Sequence, residues 1–290
     1  MNNFNMVKKP RGLGGVIAVF IVIGIIGVFV EAKANNPSTQ KTIDNIALLQ
    51  AGNSYAVEDG KFIIKYGKGK SLGVVPLDPG ASDPTSFFTD KAVYISDEVT
   101  TVAYGGIDAE NAVKVLTSGD KGKTWNSSWV ADAGTDHAET KFIGFTSKND
   151  GWLVTLSDVA SGHQKNRIFQ TSDGGNTWSE VGNTNEIYAH VVTGAGFADQ
   201  NIGFLSFRYD SDTNPVVYRT QDKGKTWVKC SVELPEKLKT SAAYPTAMSP
   251  VFNGANGILP VTLTNNNTGI DTQIQYATAD YGKSWMYDNQ

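Results

Sequence analysis

One eight-residue phrase returns four times along this chain and limits the folds open to it. It reads SGDKGKTW over Ser118–Trp125, TSDGGNTW over Thr171–Trp178, TQDKGKTW over Thr220–Trp227 and TADYGKSW over Thr278–Trp285. The common pattern is [S/T]-x-D-x-G-x-[T/S]-W. A self-similar phrase at a period of about 50 residues marks a repeat architecture, whose units are too small to bury their own apolar faces alone.

The chemistry of the phrase is that of a tight hairpin. The aspartates Asp120, Asp173, Asp222 and Asp280 can accept hydrogen bonds from backbone N–H groups one or two residues on. The glycines Gly122, Gly175, Gly224 and Gly282 can take positive φ without a Cβ penalty. Trp125, Trp178, Trp227 and Trp285 then open the next strand with a large ring to bury and an N–H to satisfy. Strand-like runs precede each phrase at Ala112–Thr117, Arg167–Thr171, Val216–Thr220 and Gln273–Thr278. Further upstream, an aromatic, a polar turn and a glycine lead into an apolar run, as in Phe145 to Gly151, Phe197 to Gly203 and Phe252 to Gly257. Val93–Ile95 with Thr101–Tyr104 is a weaker copy. Each unit thus holds four strands, a to d, with the phrase between c and d.

On these residues the chain resembles the Asp-box (BNR) repeat proteins, which include sialidases, sortilin-type ectodomains, some glycoside hydrolases and the photosystem II assembly factor. The resemblance covers residues 92–290 and implies an all-β fold, a β-propeller of four-stranded antiparallel blades. Four blades carry a box. Residues 43–90 add the strand candidates Ile46–Leu49, Ser54–Val57, Lys61–Tyr66 and Ser71–Val75 without one, and read as a degenerate fifth blade or as edge strands closing the ring.

The N-terminus carries a second signal. Lys8, Lys9 and Arg11 precede Gly12–Val30, a run without charge and long enough to cross a bilayer as one hydrophobic helix. The cations favour a cytoplasmic N-terminus. Ala32-Lys33-Ala34 would suit signal peptidase, so the run is either a retained anchor or a signal cleaved near Ala34. The resulting division is a basic segment 1–11, a membrane segment 12–30, a tether 31–42 and a propeller 43–290 outside the cytoplasm.

Composition narrows the partners. The net charge of −4 and the lack of a Lys/Arg stripe speak against nucleic acid. A single cysteine, Cys230, allows no internal disulfide and reads as a buried small residue. Nothing calls for a cofactor, and no histidine pair has metal-ligand spacing on one element.

Strand alternation puts the boxes on one face and the b–c loops and d–a connections on the other, which is where the family's active members carry their sites. All three histidines, His137, His163 and His190, fall on that opposite face. Asp136, His137, Glu139, Tyr188, His190 and Tyr244, just ahead of strand a in their units, could converge at a channel mouth, with His163 and Arg208 beside them. Asp108, Glu110, Asp132, Asp158, Glu186, Asp212 and Asp271 lie on the same face, but nothing selects a catalytic pair. The resemblance to sialidases would require three arginines gathered on the substrate. Beyond the N-terminal segment the chain has only Arg167, Arg208 and Arg219, the last beside a box on the wrong face. The reading is a non-catalytic binding or assembly module for a protein or cell-envelope glycan, with an envelope glycoside hydrolase or carbohydrate-binding protein as the alternative.

Overall fold

The computed structural model describes residues 52–78, 90–106, 112–130, 138–157, 159–160, 163–182, 190–208, 213–239, 244–265 and 267–288. The N-terminal apolar segment, the tether and the strand expected at Ile46–Leu49 lie outside the described residues, as do Asp136, His137 and Tyr188. Among the described residues no helix is long and apolar enough to cross a membrane.

The described strands form antiparallel sheets that follow one another in chain order. The first holds β1 (Ser54–Glu58), β2 (Lys61–Tyr66) and β3 (Ser71–Val74). The second holds β4 (Val93–Ile95), β5 (Thr100–Tyr104), β6 (Val113–Ser118) and β7 (Asn126–Val130). The third is built from β8 (Thr140–Phe145), β9 (Gly151–Leu156), β10 (Asn166–Thr171) and β11 (Ser179–Glu180). The fourth comprises β12 (Val192–Phe197), β13 (Gly203–Phe207), β14 (Val216–Thr220) and β15 (Val228–Lys229). The fifth has β16 (Tyr244–Ala247), β17 (Val251–Asn253), β18 (Asn256–Thr264), β19 (Asp271–Thr278) and β20 (Met286–Asp288). Every pairing is between sequence neighbours except β16, which shares the long β18 with β17. The a-to-d reading of the four boxed units is therefore correct, with each box joining c to d.

The sheets pack face to face because both faces of their middle strands are apolar. Phe142, Val154 and Ile168 of the third sheet meet Val192, Ala195 and Leu205 of the fourth. Ile143, Leu153 and Phe169, on the other face, meet Ala103, Val113 and Val115 of the second. Phe204 and Val217 join Leu259, Val261 and Tyr276 across the next seam. Phe62, Ile64 and Tyr66 join Val102, Tyr104 and Leu116 across the first. Each fully buried Val, Leu, Ile or Phe side chain among them contributes about 1.5–3 kcal/mol of transfer free energy. First strands lie side by side, with β4 against β8, β8 against β12 and β12 against β16 and β17. That is the local geometry by which propeller blades meet.

The boxes form these seams as well as the hairpins. In box two the Thr171 hydroxyl donates to Asp173 Oδ1 (2.7 Å) and accepts the Gly175 N–H (3.0 Å). Asp173 Oδ1 accepts the Thr177 N–H (2.9 Å) and Oδ2 its hydroxyl (2.6 Å). The same set recurs on Asp120, Asp222 and Asp280. The aspartate thus reaches mainly four residues on, farther than the one or two expected, because it closes a ring through the following Thr or Ser. Each box glycine has positive φ and touches the preceding sheet. A Cβ on Gly175 would lie 2.7 Å from Thr117 Oγ1, and one on Gly282 would lie 2.4 Å from Phe204 Cζ.

Of the box tryptophans only Trp285 is buried; the other three are half-buried at the outer rim of a seam. Trp178 donates to Ser128 Oγ of the preceding sheet (3.2 Å) and Trp227 to Gly224 O (3.0 Å). The indole N–H groups of Trp125 and Trp285 have no hydrogen-bond partner among the described residues. The expectation of four satisfied, buried rings holds only in part.

The first sheet has a relic of the same turn. In boxes two to four the residue after the aspartate position donates its N–H to a carbonyl of the a–b turn: Gly174 to Asn149 (3.0 Å), Lys223 to Asn201 (3.1 Å) and Tyr281 to Ala255 (2.9 Å). Lys68 donates to Gly52 O in the same way. Lys68 and Gly69 have φ of 60° and 81°, against 64° and 80° at Lys223 and Gly224. Gly67 stands where the aspartate would be and Leu72 where the tryptophan would be, and the loop is shorter. On this alignment β1, β2 and β3 correspond to strands b, c and d.

Candidate functional site

The end away from the boxes gathers the b–c loops. Its best-defined part lies between the third and fourth sheets. The loop after β9 is held by Ser157 N donating to Lys165 O (3.0 Å) and by a two-way backbone pair between Ala160 and His163 (2.9 Å each). Gln164, buried beneath it, donates to Ser157 O (2.9 Å) and accepts the Val192 N–H (3.1 Å). That cross-sheet bond ties the loop to the start of β12. It sets the His163 ring 6.3 Å from the ring of His190, centroid to centroid, at a tilt of 38°. Arg208 follows β13 at the same corner, its N–H donated to Val191 O (2.8 Å) and its side chain exposed.

Other expected members of the rim are not drawn into this corner. Glu139 is exposed beside β8. Tyr244 is not on a loop ahead of strand a. It opens β16, paired with Thr264, with 47% of its surface exposed. The strand begins earlier than its sequence suggests because the long β18 supplies a partner that no local pattern announces.

The three arginines are kept apart. Arg167 forms a paired contact with Glu180, Nε to Oε1 at 2.8 Å and Nη2 to Oε2 at 2.5 Å, on the neighbouring strand. Arg219 donates to Tyr281 O of the fifth sheet (3.0 Å) at the box end. A cluster of three guanidinium groups around one carboxylate is thus not built from these residues. The strongest carboxylate shifts also belong to the boxes. Hydrogen bonds from the Thr124, Thr177 and Thr226 hydroxyls hold Asp120, Asp173 and Asp222 at about 2. Asp280 is held there too, where the Ser284 hydroxyl and N–H overcome the opposing effect of burial. Those groups are turn anchors that stay ionised at neutral pH.

Two lysines, one buried and one half-buried, escaped the sequence reading. Lys141 on β8 is 2% exposed and shares a strand face with Ile143 in the seam with the second sheet. Its ammonium donates to Ala138 O (2.5 Å) and Glu139 O (3.3 Å), and burial pushes its pKa down to about 8. Lys91 precedes β4. It crosses to the Thr193 carbonyl of β12 (3.3 Å) and sits 4.7 Å from the Phe142 ring centroid. Thr193 Oγ1 donates onward to Ala247 O (2.6 Å), so a chain of bonds links the turn ahead of β4 to the first strands of the fourth and fifth sheets. The available signal was a lysine in an otherwise apolar strand, which for Lys141 was present in Lys141-Phe142-Ile143.

At the box end a polar cleft of about 320 Å³ lies between the fourth and fifth sheets, lined in part by Arg219, Lys229, Cys230 and Lys283. Cys230 is partly buried at the edge of this cleft rather than buried as its sequence suggests, and burial pushes its thiol up to about 11, so it stays protonated at neutral pH. No group of three or more metal-ligating side chains occurs among the described residues.

No protein-family model and no curated protein matches this sequence. Solved structures with a related course of the chain include the GH74 xyloglucanase of Xanthomonas campestris, at 12% identity and a TM-score of 0.45. The match covers 82% of this chain and 36% of the xyloglucanase. An endo-arabinase from Bacteroides thetaiotaomicron is similar at 10% identity and TM-score 0.43, over 70% of this chain and 80% of its own. A Hadza microbial sialidase is similar at 13% identity and TM-score 0.42, over 78% of this chain and 53% of its own. This chain thus spans about a third of the xyloglucanase and about half of the sialidase. Such distant likenesses assign it neither substrate nor site.

Proposed function

We propose that the sheets are blades of a β-propeller held outside the cytoplasm, which binds a protein or cell-envelope glycan without transforming it. Five blades account for the five sheets, the first retaining only the relic box. The membrane segment is residues 12–30, either kept as an anchor or removed near Ala34. The reading rests chiefly on one observation: His163 and His190, from neighbouring sheets, are brought together by the buried Gln164 bridge at the end away from the boxes. A rigid scaffold that presents imidazoles, Arg208 and Tyr244 on its loop end suits recognition by hydrogen bonds and stacking.

The test is co-purification of the full chain with its ligand from membranes. The combined His163→Ala, His190→Ala and Tyr244→Ala variant should lose the ligand while keeping a cooperative unfolding transition. Retention of the ligand by that variant would overturn the rim assignment. Turnover of a glycoside panel would overturn the non-catalytic reading. Protease accessibility on intact cells, with N-terminal sequencing of the mature chain, tests the topology. A chain beginning at Asn35 would identify a cleaved signal.

A further inference from the structure

Trp129 lies outside the rim described above, and its environment has a chemistry of its own. Strand alternation on β7 turns Ser128 and Val130 inward and Trp129 outward, leaving the indole 60% exposed. Lys114 on β6 is its cross-strand partner. The Lys114 ammonium lies 5.2 Å from the Trp129 ring centroid, and its side chain is only 12% exposed. The cation therefore sits beneath the ring, holding it flat by a cation–π contact and leaving the far face to solvent.

The same ammonium donates to both oxygens of Asp78, at 2.7 and 2.8 Å. Tyr104 adds its hydroxyl to Asp78 Oδ2 at 3.2 Å. The hydrogen bond from Lys114 also keeps Asp78 below the usual carboxylate range, so it is ionised at neutral pH. Its side chain remains 50% exposed, with acceptor capacity left beyond these donors.

We infer that Trp129, Lys114 and Asp78 form a saccharide-binding surface that stacks a pyranose ring on the indole. The axial C–H face of a pyranose is flat, weakly positive and the size of an aromatic ring, so it suits the open π-face, while its edge hydroxyls suit a fixed carboxylate. A protein partner would ask for an apolar core of several residues around the aromatic anchor. Here the strand continues into exposed Asn126 and Ser127. The site is separate from the rim, and its fate does not depend on the rim reading.

The test titrates the full chain in detergent with cellohexaose, xylohexaose, mannohexaose and N-acetylglucosamine hexaose, followed by saturation-transfer NMR and calorimetry. At least one should bind. Trp129→Ala should weaken that binding by about tenfold or more, as loss of an aromatic anchor does, with Trp129→Phe retaining most of it. Asp78→Asn should weaken it as well. Absence of binding to all four at about 10 mM, or equal binding by Trp129→Ala, would overturn the proposal. So would a polypeptide held through Trp129 with no saccharide bound.

Discussion

Gly73 of β3 and Gly122 of the first box meet back to back: a Cβ on Gly73 would lie 2.8 Å from the Cα of Gly122, and one on Gly122 would lie 2.7 Å from the Cα of Gly73. Neither side of this contact can give way, because both are backbone. Gly73→Ala should therefore destabilise by about 1–3 kcal/mol through overpacking alone. Gly122→Ala should cost about 1–2 kcal/mol more, since its φ of 75° is also left-handed. Urea unfolding monitored by tryptophan fluorescence reads both, and equal losses would refute the added conformational cost.

Acid should loosen the boxes in a defined window. The four aspartates titrate at about 2 in the fold, against about 3.9 in an unfolded chain. A depressed folded pKa stabilises fully above the unfolded value and loses that contribution as pH falls toward the folded one. Thermal midpoints should thus decline between about pH 4 and about pH 2. Thr177→Val, which removes the leading hydrogen bond to Asp173, should flatten that decline. An unchanged slope in this variant would mean that the hydroxyl does not hold the carboxylate.

Lys141 predicts a second rise of stability with pH, at the alkaline end. Its folded pKa of about 8 lies below the unfolded value of about 10.4, so the unfolded chain binds more protons between them. Stability should accordingly rise across that interval, and Lys141→Met should abolish the rise. Denaturant midpoints collected at a series of alkaline pH values decide the point.

Lys91 donates across the fold to the Thr193 carbonyl and sits over the Phe142 ring. Lys91→Met should cost about 1–2 kcal/mol. Thr193→Val, which cuts the next bond in the chain, should be less than additive with it in a double-mutant cycle. Strict additivity would mean that the two bonds act independently.

The boxes made the strand order and hairpin positions readable, because Asp, Gly and the flanking hydroxyl residues impose a local geometry without help from the rest of the chain. Val216–Thr220 and Lys61–Tyr66 have the bounds their sequences suggest. What could not be read were features set across sheets. Tyr244 is drawn into a strand by a partner some 20 residues on. The relic turn at Lys68 keeps the backbone bond but not the side chains by which a box is recognised. The meeting of His163 with His190 depends on Gln164, a polar residue whose burial is decided only when two sheets close over it.

The seam glycines give the chain a direction. Each box contact described here reaches back to a sheet made earlier: Gly122 to Gly73, Gly175 to Thr117, Gly224 to Ile168 and Gly282 to Phe204. A chain emerging N-terminus first, from a ribosome or through a membrane, therefore presents each new hairpin with a docking surface already complete. Stalled nascent chains ending after Gly182 should already protect the first two seams from protease. Chains lacking residues 52–78 should leave the second sheet the last to become resistant, although it would then be the first sheet synthesised.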